Sequence, residues 1–191
     1  GWLYQYYNQT EKDRVMSKKS SYKKEEIPYA TQLFTPDWIV KYLVENSICN
    51  KIKIDSKFIS NNFKYYILSE NNSFIKLKDL KLLDPCCGSG HILVYAIEVF
   101  YKIYEYMGYS KKSIIDYILC NNIYGLDIDN RAEQLSVLSV LLKAREYDSE
   151  IFNKKINLHI CGIQESNNLN NATLSHKYSK EIFDYLKKSF Y

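Results

Sequence analysis

Apolar positions along the chain change their spacing several times, and each change marks the start or end of an element. Residues 1–16 read as a short aromatic helix. The polar stretch from Ser17 to Glu26 reads as a loop or solvated helix end, its four lysines a wetted surface more than a phosphate site. Farther on, Ile39, Val40, Leu43, Val44 and Ile48 share one face at helical spacing. Thr35-Pro36 suits the start of that helix. Thr35 can accept from free amides as the cap, and Pro36 at the first helical position lacks only an N–H that would have no partner there. Residues 50–79 are less regular: Asn61-Asn62 and Asn71-Asn72 mark turns, and the run from Phe63 to Leu68 fits a strand or a helix.

From residue 80 onward the pattern alternates. Leu80 to Leu83 predicts a short strand, and Ile92 to Met107 is apolar nearly all round, as a helix held between layers would be. Ile123 to Asp127 predicts a second strand, followed by a helix from Arg131 to Tyr147 that Asn130 and Glu133 would start as a capping box. A third strand from Ile156 to Cys161, an Asn-rich loop from Ser166 to Asn171 and an amphipathic helix around Glu181 to Phe190 complete the series. Strands alternating with helices imply an α/β fold, a parallel sheet joined by right-handed crossovers. Three strands are half of a doubly wound sheet, so the natural protein is expected to continue, and a piece ending here is expected to self-associate through the open edge of the Leu80 strand.

Composition narrows the class. With 46% apolar residues, 25% charged residues and 19 tyrosines, the 191-residue chain is neither disordered nor of low complexity. Its longest apolar run, Ile92 to Ile97, stops at Glu98, far short of the roughly 18 residues that span a bilayer. The net charge of +4 looks evenly spread and lysine-dominated, which says little about nucleic acid. Five cysteines without a CxxC pair, and three widely separated histidines, are expected to be reduced thiols and ordinary side chains of a cytoplasmic protein without structural zinc. The chain begins with Gly1, and its opening residues lack the features of a secretion signal.

The chemistry concentrates in Asp84-Pro85-Cys86-Cys87-Gly88-Ser89-Gly90, a glycine turn between a strand and a helix. Gly88 and Gly90 allow a tight turn and close approach to the backbone, with helix N-terminal amides just beyond. Asp84 stands at the strand's carboxyl end, where open α/β sheets bind ligands. A dinucleotide site is disfavoured: the third glycine of G-x-G-x-x-G is missing, and the next strand-end acid, Asp127, comes 37 residues after Gly90 against about 20 in that motif. Asp127 can still accept from both vicinal hydroxyls of a ribose, and Ile128 can pack on a base.

These residues resemble the adenine-specific, S-adenosylmethionine-dependent DNA methyltransferases whose cofactor motif reads D-P-x-C-G-S-G. Thr31 to Val44 is similar to the segment preceding that motif, and Tyr124 to Ala132 to the ribose-binding strand end. The wording of GWLYQYY, TQLFTPDWIVKYLVENS and IYGLDIDNRA is closest to the large methyltransferases of phage-exclusion systems, of the phage growth limitation or BREX type. The resemblance implies a Rossmann-like methyltransferase fold, with residues 1–30 an N-terminal helical segment and linker and 31–191 the cofactor-binding part. It implies S-adenosyl-L-methionine as cofactor. Thr35 would lie at its methionine end and Asp84 opposite its ammonium. Cys86, Gly88 and Gly90 would give backbone approach, Asp127 would hold the ribose, Ile128 would pack on the adenine, and Gln164 would meet the adenine amino group.

The resemblance also implies double-stranded DNA as substrate, and defence-system or restriction partners, for the full-length protein. The family transfers the methyl group with an Asn-Pro-Pro-Tyr motif on a following strand. Only Pro28, Pro36 and Pro85 occur here, so no residue is assigned to catalysis and the chain alone is expected to be inactive. A non-catalytic nucleotide- or cofactor-binding scaffold module would show the same absence and stands as the alternative.

Overall fold

The structure, a computed structural model, describes residues 2–23, 26–31, 35–68 and 73–163. At its centre is strand β2 (Ile123–Asp127), paired in parallel with β1 (Leu82–Asp84) on one side and β3 (His159–Gly162) on the other. The order 1-2-3 and the intervening helices make this the α/β arrangement that the sequence predicts. Residues Leu83, Tyr124 and His159 stand abreast in one row of the ladder, and Asp84, Gly125 and Ile160 in the next. Side chains alternate between faces from row to row.

Helix α5 (His91–Tyr106) links β1 to the middle of the chain, and helix α7 (Asn130–Arg145) links β2 to β3. Both pack on the face that carries Ile123, Gly125 and Ile160, and they touch each other. Gly125 is small because Leu93 of α5 comes against it: a Cβ there would lie 2.8 Å from Leu93 Cδ1. Leu93, Ile97, Phe100 and Ile103 of α5 are fully buried, each contributing about 1.5–3 kcal/mol of burial. On its other side α5 packs against α3 (Asp37–Cys49) through Val40, Val44 and Ile48. Among the described residues the opposite sheet face is less covered, with Leu83 55% exposed and Cys161 also exposed.

Several boundaries differ from the sequence reading, each for a physical reason. Strand β1 begins at Leu82, two residues late, because the Leu80 carbonyl accepts from the Asn122 side chain (2.8 Å) instead of joining the ladder. Strand β3 begins at His159 because its register places Tyr124 opposite His159, and before Ile123 the partner chain is coiled in a π turn, Ile118–Asn122, continuing α6 (Lys111–Tyr117). Helix α7 is capped by Asp129, whose carboxylate accepts from Arg131 N at 2.9 Å, and Asn130 is its first residue and not its cap. Pro36 caps α3, with extended ψ of 144°, and its carbonyl accepts from Val40 N, so Thr35 makes no cap.

The irregular region contains helix α4 (Ser56–Asn62), started by Asp55, and a 3-10 turn at Leu77–Asp79, while Phe63 to Leu68 forms neither strand nor helix. Glu45 of α3 explains the last point, since its buried carboxylate accepts from Tyr65 N and Tyr95 Oη, both at 2.6 Å, and pins that run as a loop. Preceding all this are α1 (Trp2–Met16) and the short α2 (Ile27–Thr31). Glu26, read from sequence as part of a solvated stretch, is buried and meets the Lys18 ammonium and the Lys23 amide. The Asn-rich loop from Ser166 and the closing helix expected around Glu181 lie outside the described residues. No described helix is long and apolar enough to cross a membrane.

Asn122 is fully buried and joins three groups: its amide donates to the carbonyls of Leu77 (2.9 Å) and Leu80 (2.8 Å), and its oxygen accepts from Tyr104 Oη (2.9 Å). Asn122→Ala should lower the unfolding free energy by about 3 kcal/mol, since it strands two carbonyls and a hydroxyl. Urea denaturation measures this, and a loss well under about 1 kcal/mol would show that the bonds are replaced by water.

Candidate functional site

The carboxyl ends of β1 and β2 lie side by side, and the turn after β1 folds over them. Asp84 is the last residue of β1 and Asp127 the last of β2. Between them the segment 85–90 closes on itself: Cys86 N donates to Asp84 Oδ1 (3.1 Å), Cys87 N to the Leu126 carbonyl (2.9 Å) and Gly90 N to the Cys87 carbonyl (2.8 Å). Gly88 and Gly90 have φ of 52° and 85°, left-handed values that other residues avoid. Gly90 then caps α5, whose first amides point back at the strand ends.

Asp127 ties this turn down. Its Oδ2 accepts from Gly88 N (2.8 Å) and its Oδ1 from Asp129 N (2.9 Å), so one carboxylate fixes both the glycine turn and the start of α7. Each oxygen retains a lone pair for a further donor. Asp84 is buried, and loss of solvation raises its pKa above the usual carboxylate value; the Cys86 amide opposes that shift and the charge of Asp127 adds to it. Two carboxylates at adjacent strand ends, with no described cation paired to Asp84, suit a ligand carrying positive charge.

The remaining positions fall as follows. Ile128 directly follows β2 and is 54% exposed. Thr35 is half-buried, two residues ahead of α3. The Lys41 ammonium of α3 lies 5.9 Å from the ring centre of Tyr95 in α5, which places the start of α3 beside the start of α5. Cys86 is exposed. Cys87 is buried, its thiol pushed up to about 11 by that burial, so it is packing and no nucleophile. Gln164 lies outside the described residues. All five cysteines are free thiols, and no three His, Cys, Asp or Glu side chains among the described residues gather as metal ligands.

One contributor escaped the sequence reading. Ser136 of α7 lies against the glycine turn so closely that a Cβ on Gly90 would fall 2.8 Å from its Oγ and 3.2 Å from its Cα. Only a helix face with a small residue at that turn allows the approach, and a lone serine in an ordinary helix pattern gives no signal of it. The hydroxyls of Ser89 and Ser136 are buried at this turn and its support, the Ser136 hydroxyl beside the Cys87 thiol.

No family model matches the chain. The adenine-specific methyltransferase BrxX of Escherichia coli O9:H4 (strain HS) is 43% identical to it over 182 residues, covering 87% of this chain and 15% of BrxX. The adenine-specific methyltransferase PglX of Lacticaseibacillus casei (strain Zhang) is 37% identical over 182 residues, covering 83% of this chain and 15% of PglX. The chain is homologous to BrxX and PglX over most of its own length. It spans about 15% of the length of each of these two relatives. Among solved structures, a nuclease-deletion mutant of the Type ISP restriction-modification enzyme LlaGI, in complex with a DNA substrate mimic, aligns with a TM-score of 0.46 and 16% identity. That alignment covers 85% of this chain and 12% of LlaGI.

Two stability measurements probe the crevice of this BrxX and PglX relative. Gly88 faces open space, so Gly88→Ala meets only the left-handed φ and should cost about 1 kcal/mol, whereas Gly90→Ala also collides with Ser136 and should cost about 2–4 kcal/mol. Equal losses in urea denaturation would remove Ser136 as the support. Asp84 binds its proton more tightly folded than unfolded, so its ionised form costs stability at neutral pH, and that cost disappears as the pH falls through its raised pKa to below the ordinary aspartate value of 3.8. Asp84→Asn should therefore melt at a higher temperature than the parent chain at pH 7, with the gap closing toward pH 3. A lower melting temperature at pH 7 would refute the burial argument.

Proposed function

We propose that this chain is the S-adenosylmethionine-binding part of a DNA adenine-N6 methyltransferase of the restriction-modification or phage-defence type. The observation that carries the proposal is the pair of strand-end carboxylates, Asp84 and Asp127, closed over by the Gly88–Gly90 turn, in a chain homologous to enzymes named adenine-specific methyltransferases. A ligand with an ammonium, a ribose and an adenine ring suits these groups in turn. Asp84 offers a buried negative charge, Asp127 two acceptors with lone pairs to spare, and Ile128 an exposed apolar surface for the ring. Thr35 and Gln164 complete the set in this reading, at the methionine end and the adenine amino group.

Residues 31–191 form the cofactor-binding part, and residues 1–30 lead into it. A bond from Arg131 Nη1 to Tyr29 Oη (2.9 Å) ties that leading segment to the start of α7, beside Asp129. When bound, the cofactor supplies a methyl group made electrophilic by its sulfonium. The crevice residues bind and orient it, keeping the methyl at a fixed place for a flipped adenine of double-stranded DNA, and such positioning supplies much of the rate of a transfer that needs no covalent intermediate. The whole protein, working on cellular or phage DNA, would act in the cytoplasm alongside defence or restriction partners.

A thermal-shift titration with S-adenosylmethionine, S-adenosylhomocysteine and NAD tests the reading. Ligand at about 100 times its Kd adds about 2.7 kcal/mol of stability, and the response should come from the first two ligands alone. Asp127→Ala should weaken S-adenosylhomocysteine binding by about 1–3 kcal/mol in isothermal titration. Undiminished affinity would remove Asp127 from the site, and a response to NAD alone would overturn the cofactor.

A further inference from the structure

A second concave surface lies at the far end of α5. The 3-10 turn at Leu77–Asp79, the extended residues 74–76 and the end of α5 enclose a cleft of about 590 Å3. Its rim carries Lys53, Lys76 and Lys78, with Asp79 the one acid, and its walls are apolar, formed by Phe74, Met107 and Tyr109 among others. The glycine turn stands at the start of α5 and Met107 caps its end, so 16 residues of helix hold the two places about 24 Å apart. This cleft is therefore no part of the cofactor crevice.

The charge distribution singles it out. Residues 51–81 hold seven lysines and three acids, so this stretch alone accounts for the whole chain's net +4 and the remainder is neutral. The even spread expected from sequence is thus corrected: the excess positive charge falls within residues 51–81, and three of the seven lysines there, Lys53, Lys76 and Lys78, line the cleft. Lys53 and Lys76 are exposed, and neither makes an ion pair with a described residue. Lys78 is held differently, its ammonium 4.1 Å from the Tyr117 ring centre and 5.2 Å from that of Tyr109. Phe74 is 51% exposed at the same rim.

The cleft is also held open. Ile75 N donates to the Lys51 carbonyl (2.8 Å), binding one wall to the chain that carries Lys53, and Asn122 grips the carbonyls of Leu77 and Leu80 from beneath. Lysines on a supported rim beside an exposed aromatic ring match one ligand chemistry, phosphates in series with planar bases. A cleft of this size admits one nucleotide unit, and a base can reach the face of Phe74 only if it is unpaired.

We propose that this cleft binds a single-stranded stretch of nucleic acid, its phosphates on Lys53 and Lys76 and an unpaired base against Phe74. Cleft and crevice are tested separately, because the same protein's thermal response to S-adenosylmethionine reports the crevice alone.

Fluorescence anisotropy with a labelled oligothymidylate, across a salt series, tests the cleft on the full chain. Lys53→Ala/Lys76→Ala should weaken binding about tenfold and flatten the slope of log K against log salt by about 1.4, near 0.7 for each phosphate left without its lysine. Phe74→Ala should weaken oligothymidylate about tenfold while leaving inorganic polyphosphate unaffected. All three side chains are exposed, so circular dichroism should show intact folds. A control pair on other elements, Lys112→Ala/Lys155→Ala, should change nothing. Equal losses from the control pair, no loss from the cleft variants, or a duplex that binds as tightly as the single strand and ignores Phe74→Ala would each overturn the proposal.

Discussion

The carboxylate of Asp127 is the point on which the crevice depends. By accepting from Gly88 N and Asp129 N together, it joins the turn after β1 to the turn after β2, two segments 39 residues apart that no backbone ladder connects directly. Bonds from an amide to a charged acceptor contribute about 1.5–3 kcal/mol, enough to hold a turn whose glycines would otherwise sample many shapes. The Cys87 amide on the Leu126 carbonyl reinforces the same seam. A ligand that draws on Asp127 thus shares it with the scaffold, so binding and local rigidity are coupled through one side chain.

Asn122 performs the matching task at the other end of the sheet. It sits just ahead of β2 and reaches back to the two carbonyls that precede β1, so that each end of the β1–β2 pair is locked by one polar side chain. Helix α5 spans the distance between the two locks with a fully buried face. The anionic crevice lies at the first lock and the lysine-rimmed cleft at the second, and the fold separates opposite charges along a single rigid rod.

Much of this was legible in the residues. The D-P-x-C-G-S-G string located the turn, because both left-handed φ values fall on its two glycines, and the β2 boundaries matched because a run of apolar residues ends there at a carboxylate. What could not be read were side chains competing with the backbone. Asn122 takes the Leu80 carbonyl from the ladder and delays β1, Glu45 takes the Tyr65 amide and keeps residues 63–68 out of regular structure, and Asp129 displaces Asn130 as the cap of α7. Each depends on a partner distant in sequence or on a choice between adjacent similar residues, which periodicity does not encode. The support of Gly90 by Ser136 was hidden for the same reason.

The two crossovers also carry a sense of direction. Each leaves one strand, passes over the α5 and α7 face and lands one strand farther from β1. A right-handed connection that reverses this march, returning from beyond β3 to the outer edge of β1, has to travel over the opposite face. That is where Leu83 and Cys161 stand exposed. Among the described residues that face and the outer edge of β1 are left uncovered, and handedness dictates that whatever pairs with β1 by that route arrives beneath the sheet.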